Sequence, residues 1–362
     1  MLALPALLIL VRPCACEPML ERAVWCEHLF YSSRFASIEA AALGDGLDGL
    51  AHAQTGLHQA IDIDRLRSEP ALESKLLRFL RQADRLKIPT KAWIILPKAL
   101  GYWSSDENPE ETALRCRQTM DWIVARGLRC RWLVIDLEPS LAFNEAAADL
   151  IKQSRYLELA ILLARNIDPV GSARARQIYA RLVAEIHRRG FRVLCVTYPQ
   201  ILDGLKLHTT FLEDVLNVPT SHVPWDRVSF MVYRTVFSDY VGEDLGPALV
   251  RGYGEDARRF FGPEAAIDVG VVGDRFYGDP ALLAEDEQAL VDAGLARLHV
   301  FYLEGMLTGG GVRKWLDAHR ASKQADSARD PAPRARNHPL TLQVVRGALA
   351  LVDRVLCGLR GR

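Results

Sequence analysis

The stretch RCRWLVIDLEPS (129–140) ends a run of bulky apolar residues in two carboxylates one residue apart, Asp136 and Glu138. In extended chain alternate side chains share a face, so Trp132, Val134, Asp136 and Glu138 fall together and Leu133, Ile135 and Leu137 fall opposite. One face is apolar throughout. The other turns acidic at its carboxyl end, where Pro139 withdraws an N–H and stops the ladder. Two acids this close oppose each other's ionisation, so one is held protonated near neutral pH. A protonated carboxyl is what a glycosidic oxygen needs to become a leaving group. The plain structural alternative is an Asp136 that simply pairs with an arginine.

A strand with apolar faces and chemistry at its carboxyl end belongs in a parallel sheet covered on both sides. The surrounding sequence repeats that theme, with short strand-like runs alternating with longer stretches of helical periodicity. The spacing predicts strands at 23–30, 48–54, 91–97, 131–138, 191–198, 227–234, 266–272 and 298–304. Helices are expected at 70–87, 108–127 and 280–294, and two more, 145–166 and 173–190, form an enlarged connection after the fourth strand. Eight such units over residues 21–322 predict an α/β fold, the (β/α)8 TIM barrel, whose active sites lie at the carboxyl ends of the strands. An open doubly wound sheet would carry a glycine-rich phosphate turn after an early strand, and the sequence has no P-loop pattern.

Reading off the strand ends gives the expected mouth. Strand one supplies Glu27 and His28, the loop after strand three Tyr102 and Trp103, and strand four Asp136 and Glu138. Strand five adds Tyr198, strand six Tyr233 and Arg234, and strand eight Tyr302 and Glu304. Aromatics and acids on one rim suit a carbohydrate, because sugar rings stack their C–H faces on aromatics while acids and an arginine take the hydroxyls. The expected catalytic set is Glu138, Asp136, Tyr233 and Glu304. The expected substrate contacts are Glu27, His28, Tyr102, Trp103, Tyr198, Arg234 and Tyr302.

The motifs WLVIDLE and FMVYR carry a resemblance. The first resembles the end of the D-G-x-D-x-D-x-E strand of family 18 glycoside hydrolases, the chitinase-like barrels, and the second resembles their M-x-Y-D on strand six. The resemblance implies that Glu138 protonates the leaving group. It implies that Asp136 orients a substrate acetamido group acting as internal nucleophile, and that Tyr233 hydrogen-bonds that group. Arg131, Trp132 and Val134 stand where the family has Asp, Gly and Asp, and Arg234 stands for its usual Asp. For a sugar without an acetamido group, Glu304 or Glu27 is the expected second carboxylate.

Two other functions stay open at this point. Glu27, His28, Asp136, Glu138 and Glu304 form an oxygen-rich set that suits Mg²⁺ or Mn²⁺ in a metal-dependent hydrolase or isomerase. Against it, strand one has no H-x-H. A non-catalytic sugar-binding barrel, keeping the aromatic rim without the acid chemistry, is the third reading.

The bulk composition narrows the partners. The chain has 362 residues and zero formal net charge, enough for one large core and without the basic excess of a nucleic-acid binder. Seven scattered cysteines show no zinc spacing, and no cofactor motif is visible. Arginine far outnumbers lysine, the habit of a GC-rich bacterial genome. The apolar run within residues 1–20 is too short to span a bilayer and reads either as the core of a secretory signal or as a first buried strand. Export or cell-envelope association and a cytoplasmic location therefore both stay open. Residues 323–337 read as a Pro/Ala/Arg-rich linker, and 338–362 as an amphipathic helix that docks on the barrel or touches a membrane surface.

Overall fold

A computed structural model describes residues 20–317 apart from 36, 37 and 39. The expected N-terminal apolar segment, the linker and the C-terminal amphipathic helix lie outside the described residues, residue 20 excepted. Eight strands form the sheet: β1 (Glu21–Cys26), β2 (Gly56–Ile61), β3 (Thr90–Ile94), β4 (Trp132–Asp136), β5 (Arg192–Thr197), β6 (Arg227–Met231), β7 (Ala266–Gly270) and β8 (Arg297–Phe301). Each pairs in parallel with the next, and β8 pairs with β1, closing a (β/α)8 TIM barrel.

Alternation along the strands sorts the side chains into two cores. Leu133, Ile135, Val193, Cys195, Phe230, Ile267 and Leu298 face outward and are covered by the helices. Trp25, Ala60, Trp93, Val134, Leu194, Val196 and Met231 face inward and fill the lumen. The covering helices Pro70–Arg85, Pro109–Ala125, Pro169–Arg188, Pro247–Phe261 and Pro280–Asp292 all carry proline at their start. That position has no intrahelical N–H partner to lose, and the ring presets the helical φ. In the first of them Leu72, Leu76, Phe79, Leu80 and Ala83 make one apolar stripe against the sheet.

The second strand lies later than its predicted position. Residues 48–54 belong to the helix Ala40–His52 and its exit, where Leu47 and Leu50 bury at helical spacing. The strand is GLHQAI, every residue of it buried. Its His58 and Gln59 broke the apolar signature that marks the other strands. The connection after β4 is enlarged as expected, but it holds three helices, Leu141–Lys152, Tyr156–Arg165 and Pro169–Arg188. The break falls at Ser154, whose φ of 57° turns the chain through left-handed space.

β8 stops at Phe301, so residues 303–308 are helical rather than strand. Beside it, Gly270 closes β7 with a φ of 147°, and a Cβ there would lie 2.3 Å from the Phe301 carbonyl oxygen. Only glycine meets both conditions. Among the described residues no helix is long and apolar enough to cross a membrane.

Ile135 is fully buried on the outward face of β4. Ile135→Ala is expected to cost about 2–5 kcal/mol of stability, from lost burial plus the cavity left behind. Urea denaturation against the wild type measures it.

Candidate active site

The two acids of β4 are placed by a backbone ladder that runs past the strand itself. The Leu137 N–H donates to the Val196 carbonyl at 2.8 Å, and the Glu138 N–H to the Ser104 carbonyl at 2.9 Å. The Ser104 N–H in turn donates to the Asp136 carbonyl at 3.0 Å. Residues 136–138 therefore stay extended, which sends Leu137 outward to the helices and leaves Asp136 and Glu138 on the lumen side. Pro139 ends the ladder, and the Ser140 hydroxyl caps the next helix by accepting from the Phe143 N–H at 3.4 Å.

Glu27, Asp136, Glu138 and Glu304 are all buried. The Tyr198 hydroxyl donates to Glu138 Oε2 at 2.8 Å, and Asp136 and Glu138 hydrogen-bond to each other. Across the mouth, the Tyr102 hydroxyl donates to Glu27 Oε1 at 2.8 Å, and His28 Nε2 lies 3.3 Å from Glu27 Oε2. Burial raises Glu138 to about 7 against the two hydrogen bonds that favour its carboxylate. Burial also lifts Glu27 to about 8, with Glu138 and Glu304 adding repulsion. Asp136 is pushed well above the carboxylate range by burial first, and then by Glu138, Asp268 and Glu27. His28 is held below the imidazole range, chiefly by desolvation and also by Arg34 and Lys98.

Aromatic rings frame these acids. Trp103 meets Tyr102 edge-on at 5.0 Å, Tyr233 lies 5.5 Å from Phe301, and Tyr302 stacks on Phe301 at 4.8 Å. All five rings pack on the lumen core together with Tyr198. Beside them a cleft of about 1000 Å³ is lined by Glu27, His28, Tyr102 and Trp103. Its wall also includes Lys98, which follows the third strand, and Tyr31, Asp62, Asp64, Arg65 and Glu145, which the strand-end reading did not select. Tyr31 carried a usable signal: it follows the first strand and bridges to the second, donating to the Ala60 carbonyl and accepting from the Asp62 N–H.

Two expected site residues do other work. Glu304 does not share a strand face with Tyr302; it sits in the helix Leu303–Thr308, fully buried. Its Oε1 accepts from the backbone N–H groups of His28 and Leu29, each at 2.7 Å, which ties the loop after β1 to the helix after β8. Arg234 points away from the mouth. Its guanidinium is 2 % exposed and bonds Asp244 at 2.5 Å, Asp286 at 3.2 Å and Glu285 at 3.4 Å. The expectation failed because the strand ends at Met231, so Arg234 opens a helix instead of continuing the alternation.

The larger omission lies in the lumen. Asp268 of β7, His299 of β8, His58 of β2 and Lys91 of β3 are buried among Trp25 and Trp93. Alternation marks each as inward once the register is known, but single polar residues inside apolar strands gave no pattern to read. Among the described residues no group of three His, Cys, Asp or Glu side chains is arranged to hold a metal ion, and Glu304, one of the five expected ligands, is turned to backbone.

Comparison with known proteins gives no match to any family model and none to a curated protein. Solved structures do match. The glycoside hydrolase domain of PgaB (BpsB) from Bordetella bronchiseptica is 12% identical, covers 83% of this chain and 99% of that one, and superposes with a TM-score of 0.50. A GH5_18 protein from Bifidobacterium longum subsp. infantis is 10% identical over 84% of this chain and 79% of that one, at a TM-score of 0.51. A D-allulose 3-epimerase from Methylomonas sp. is 15% identical over 86% of this chain and 99% of that one, at 0.42. The likeness is one of fold.

Arg234→Leu is expected to cost about 3–5 kcal/mol, because Asp286 is left buried without its cation. Chemical denaturation checks it. A second expectation concerns pH. Glu27 holds its proton to about 8 in the folded protein and to an ordinary 4.5 when unfolded, so its protonated form favours the fold. That contribution is full below about 4.5 and is lost as pH rises towards 8. The melting temperature should fall between pH 5 and pH 8, and Glu27→Gln should flatten the fall; an equally steep decline in the variant contradicts it.

Proposed function

We propose that this barrel is a glycoside hydrolase in which Glu138 is the general acid/base and the nucleophile comes from the substrate. One observation carries the reading: Glu138 is buried beside the Tyr198 hydroxyl and Asp136, and burial holds Glu138, Asp136 and Glu27 above the ordinary carboxylate range, which disfavours an ionised nucleophile beside it. A general acid needs a pKa near the operating pH, and about 7 meets that need. A nucleophilic carboxylate must be ionised. Glu27 keeps its proton to about 8, and Glu304 is committed to two backbone N–H groups. A hydrolase without a free carboxylate can use the 2-acetamido oxygen of an N-acetylated sugar.

The steps follow from the groups present. Glu138 gives its proton to the glycosidic oxygen as the C1–O bond breaks, and the acetamido oxygen closes on C1 from the opposite face. Asp136, still protonated, donates a hydrogen bond within the site, and the Tyr233 hydroxyl faces the same space. The ionised Glu138, supported by the Tyr198 hydroxyl, then takes a proton from the water that opens the intermediate. Two displacements at C1 leave the anomeric configuration retained. The aromatic rim and the cleft give a sugar chain surfaces to stack on, and the presence of glycoside hydrolases among the structures of similar fold supports the reading.

The test is hydrolysis of aryl glycosides and oligosaccharides, with and without N-acetyl groups, by wild type and Glu138→Gln. Turnover is expected only of N-acetylated substrates, with retention by NMR, and with a loss of roughly 10²–10⁴-fold in the variant. The rate should decline as pH rises through about 7, where Glu138 gives up its proton. Inversion, or equal turnover of sugars lacking the acetamido group, overturns the substrate-assisted route. Glycan binding without turnover in either protein leaves a binding barrel.

A further inference from the structure

A surface helix ordinarily turns one apolar stripe inward and a polar face to water. The helix Tyr156–Arg165, YLELAILLAR, is apolar on both sides, and no residue of it is fully buried. Leu159, Leu162 and Leu163 are half-buried on the side that packs against the helices Leu141–Lys152 and Phe211–Leu216. The opposite side carries Leu157, 76 % exposed, and Ile161, 43 % exposed, with Ala160 and Ala164 exposed beside them. Spacings of three and four residues put these four on one stripe. The ends of the helix are fixed without touching that stripe. Arg155 bonds Glu158 at 2.8 Å, and the Asn166 side chain donates to the Val215 carbonyl at 2.8 Å. A helix seated on one side, with a second apolar side turned to water, marks an interaction surface.

We propose that residues 338–362 of the same chain cover this stripe. That segment lies outside the described residues, and its sequence is that of an amphipathic helix. Val345, Ala348, Val352, Val355 and Leu359 recur at three and four residues, while Gln343, Arg346, Asp353 and Arg354 fall on the other side. Its apolar side needs cover as much as the stripe on the barrel does. The chain between them is long enough. The last described helix, Val312–Leu316, packs on Ala40–His52 and Pro280–Asp292, beside β1 and β8, and the stripe follows β4 on the opposite side. Residues 318–337 span about 60 Å as an extended proline-rich connection, against roughly 50 Å across a compact domain of this size. Tethering also decides between occupants. A segment on such a connection meets its site at an effective concentration in the millimolar range, which a second copy at ordinary concentrations does not match. Seated there, residues 338–362 brace a helix pair whose first member starts just past Glu138 and gives Leu141 and Glu145 to the cleft wall. The docking does not rest on the glycosidase reading.

The experiment is photo-cross-linking of full-length protein carrying Leu157→benzoylphenylalanine or Ile161→benzoylphenylalanine, with the joined peptides identified by mass spectrometry. Both positions should cross-link to peptides within 338–362. In an equal mixture of ¹⁵N-labelled and unlabelled protein, each joined pair should carry a single isotope. Pairs of mixed isotope assign the stripe to a second copy and overturn the proposal. Cross-links found only to lipid, once vesicles of phosphatidylcholine and phosphatidylglycerol are added, assign it to a membrane surface and overturn it too. Cross-links to other peptides, or none, have the same consequence. A second measurement leaves the barrel sequence untouched. In full-length Val352→Asp/Val355→Asp the amides of residues 157–165 should exchange their hydrogens about tenfold faster than in wild type, because the helix loses the cover on its outer side. An unchanged exchange rate overturns the docking.

Discussion

The carboxyl of Glu138 lies between the Tyr198 hydroxyl and the carboxyl of Asp136, in a place water scarcely reaches, and the arrangement of the mouth depends on that contact. Burial works against every charge there, while each hydroxyl donor works for it. Glu138 has two donors and settles near neutrality; Glu27 has one hydroxyl donor and settles higher. The difference arises from local hydrogen bonding and from the repulsion Glu138 and Glu304 exert on Glu27, not from residue type, since both are glutamates at strand ends. Because burial disfavours the charged forms of Glu27, Asp136 and Glu138, these carboxyls can crowd the mouth without driving the barrel apart.

Holding those groups in register falls to backbone and to buried ion pairs set back from the mouth. Ser104 brackets residues 136–138 through two hydrogen bonds, which tie the loop carrying Tyr102 and Trp103 to the end of β4. Glu304 does the same for the loop after β1, fixing Glu27 and His28 relative to β8. Arg234 gathers Asp244, Glu285 and Asp286 behind β6 and β7, and Tyr277 adds a hydrogen bond to Asp286 at 2.8 Å. The strongest side-chain contacts of Glu304 and Arg234 therefore stabilise the frame, and the residues left facing the cleft are those with hydroxyl, carboxyl and ring edges to offer.

How much of this was legible in the sequence follows from which signals are local. Seven of the eight strands showed themselves because an apolar run between helical stretches is a short-range pattern. β2 did not, because His58 faces a lumen that tolerates polar groups and Gln59 bonds backbone carbonyls. Asp136, Glu138, Tyr198 and Tyr233 were readable because extended backbone fixes the face of each residue within a strand and just past it. Glu304 and Arg234 were misread one step beyond that range: the chain had already turned helical, and alternation no longer applies. Asp268 and His299 were unreadable for a different reason. Each is one polar residue in an apolar strand, and their meaning appears only when β7 and β8 are set side by side with β1.

The loss of Arg234 from the expected rim changes what the mouth can recognise. A guanidinium there would have favoured anionic sugars through paired hydrogen bonds. In its place the groups near Glu138 are tyrosine hydroxyls and protonated carboxyls, neutral donors that suit hydroxyl and amide oxygens. Arg65, on the cleft wall, is bonded to Glu69 at 2.8 Å and to the Tyr31 carbonyl at 3.3 Å, so it braces the wall. An acetamido group offers an amide oxygen to such donors and an apolar methyl to the surrounding rings. Under the proposed glycosidase reading, such donors suit a substrate that supplies its own nucleophile.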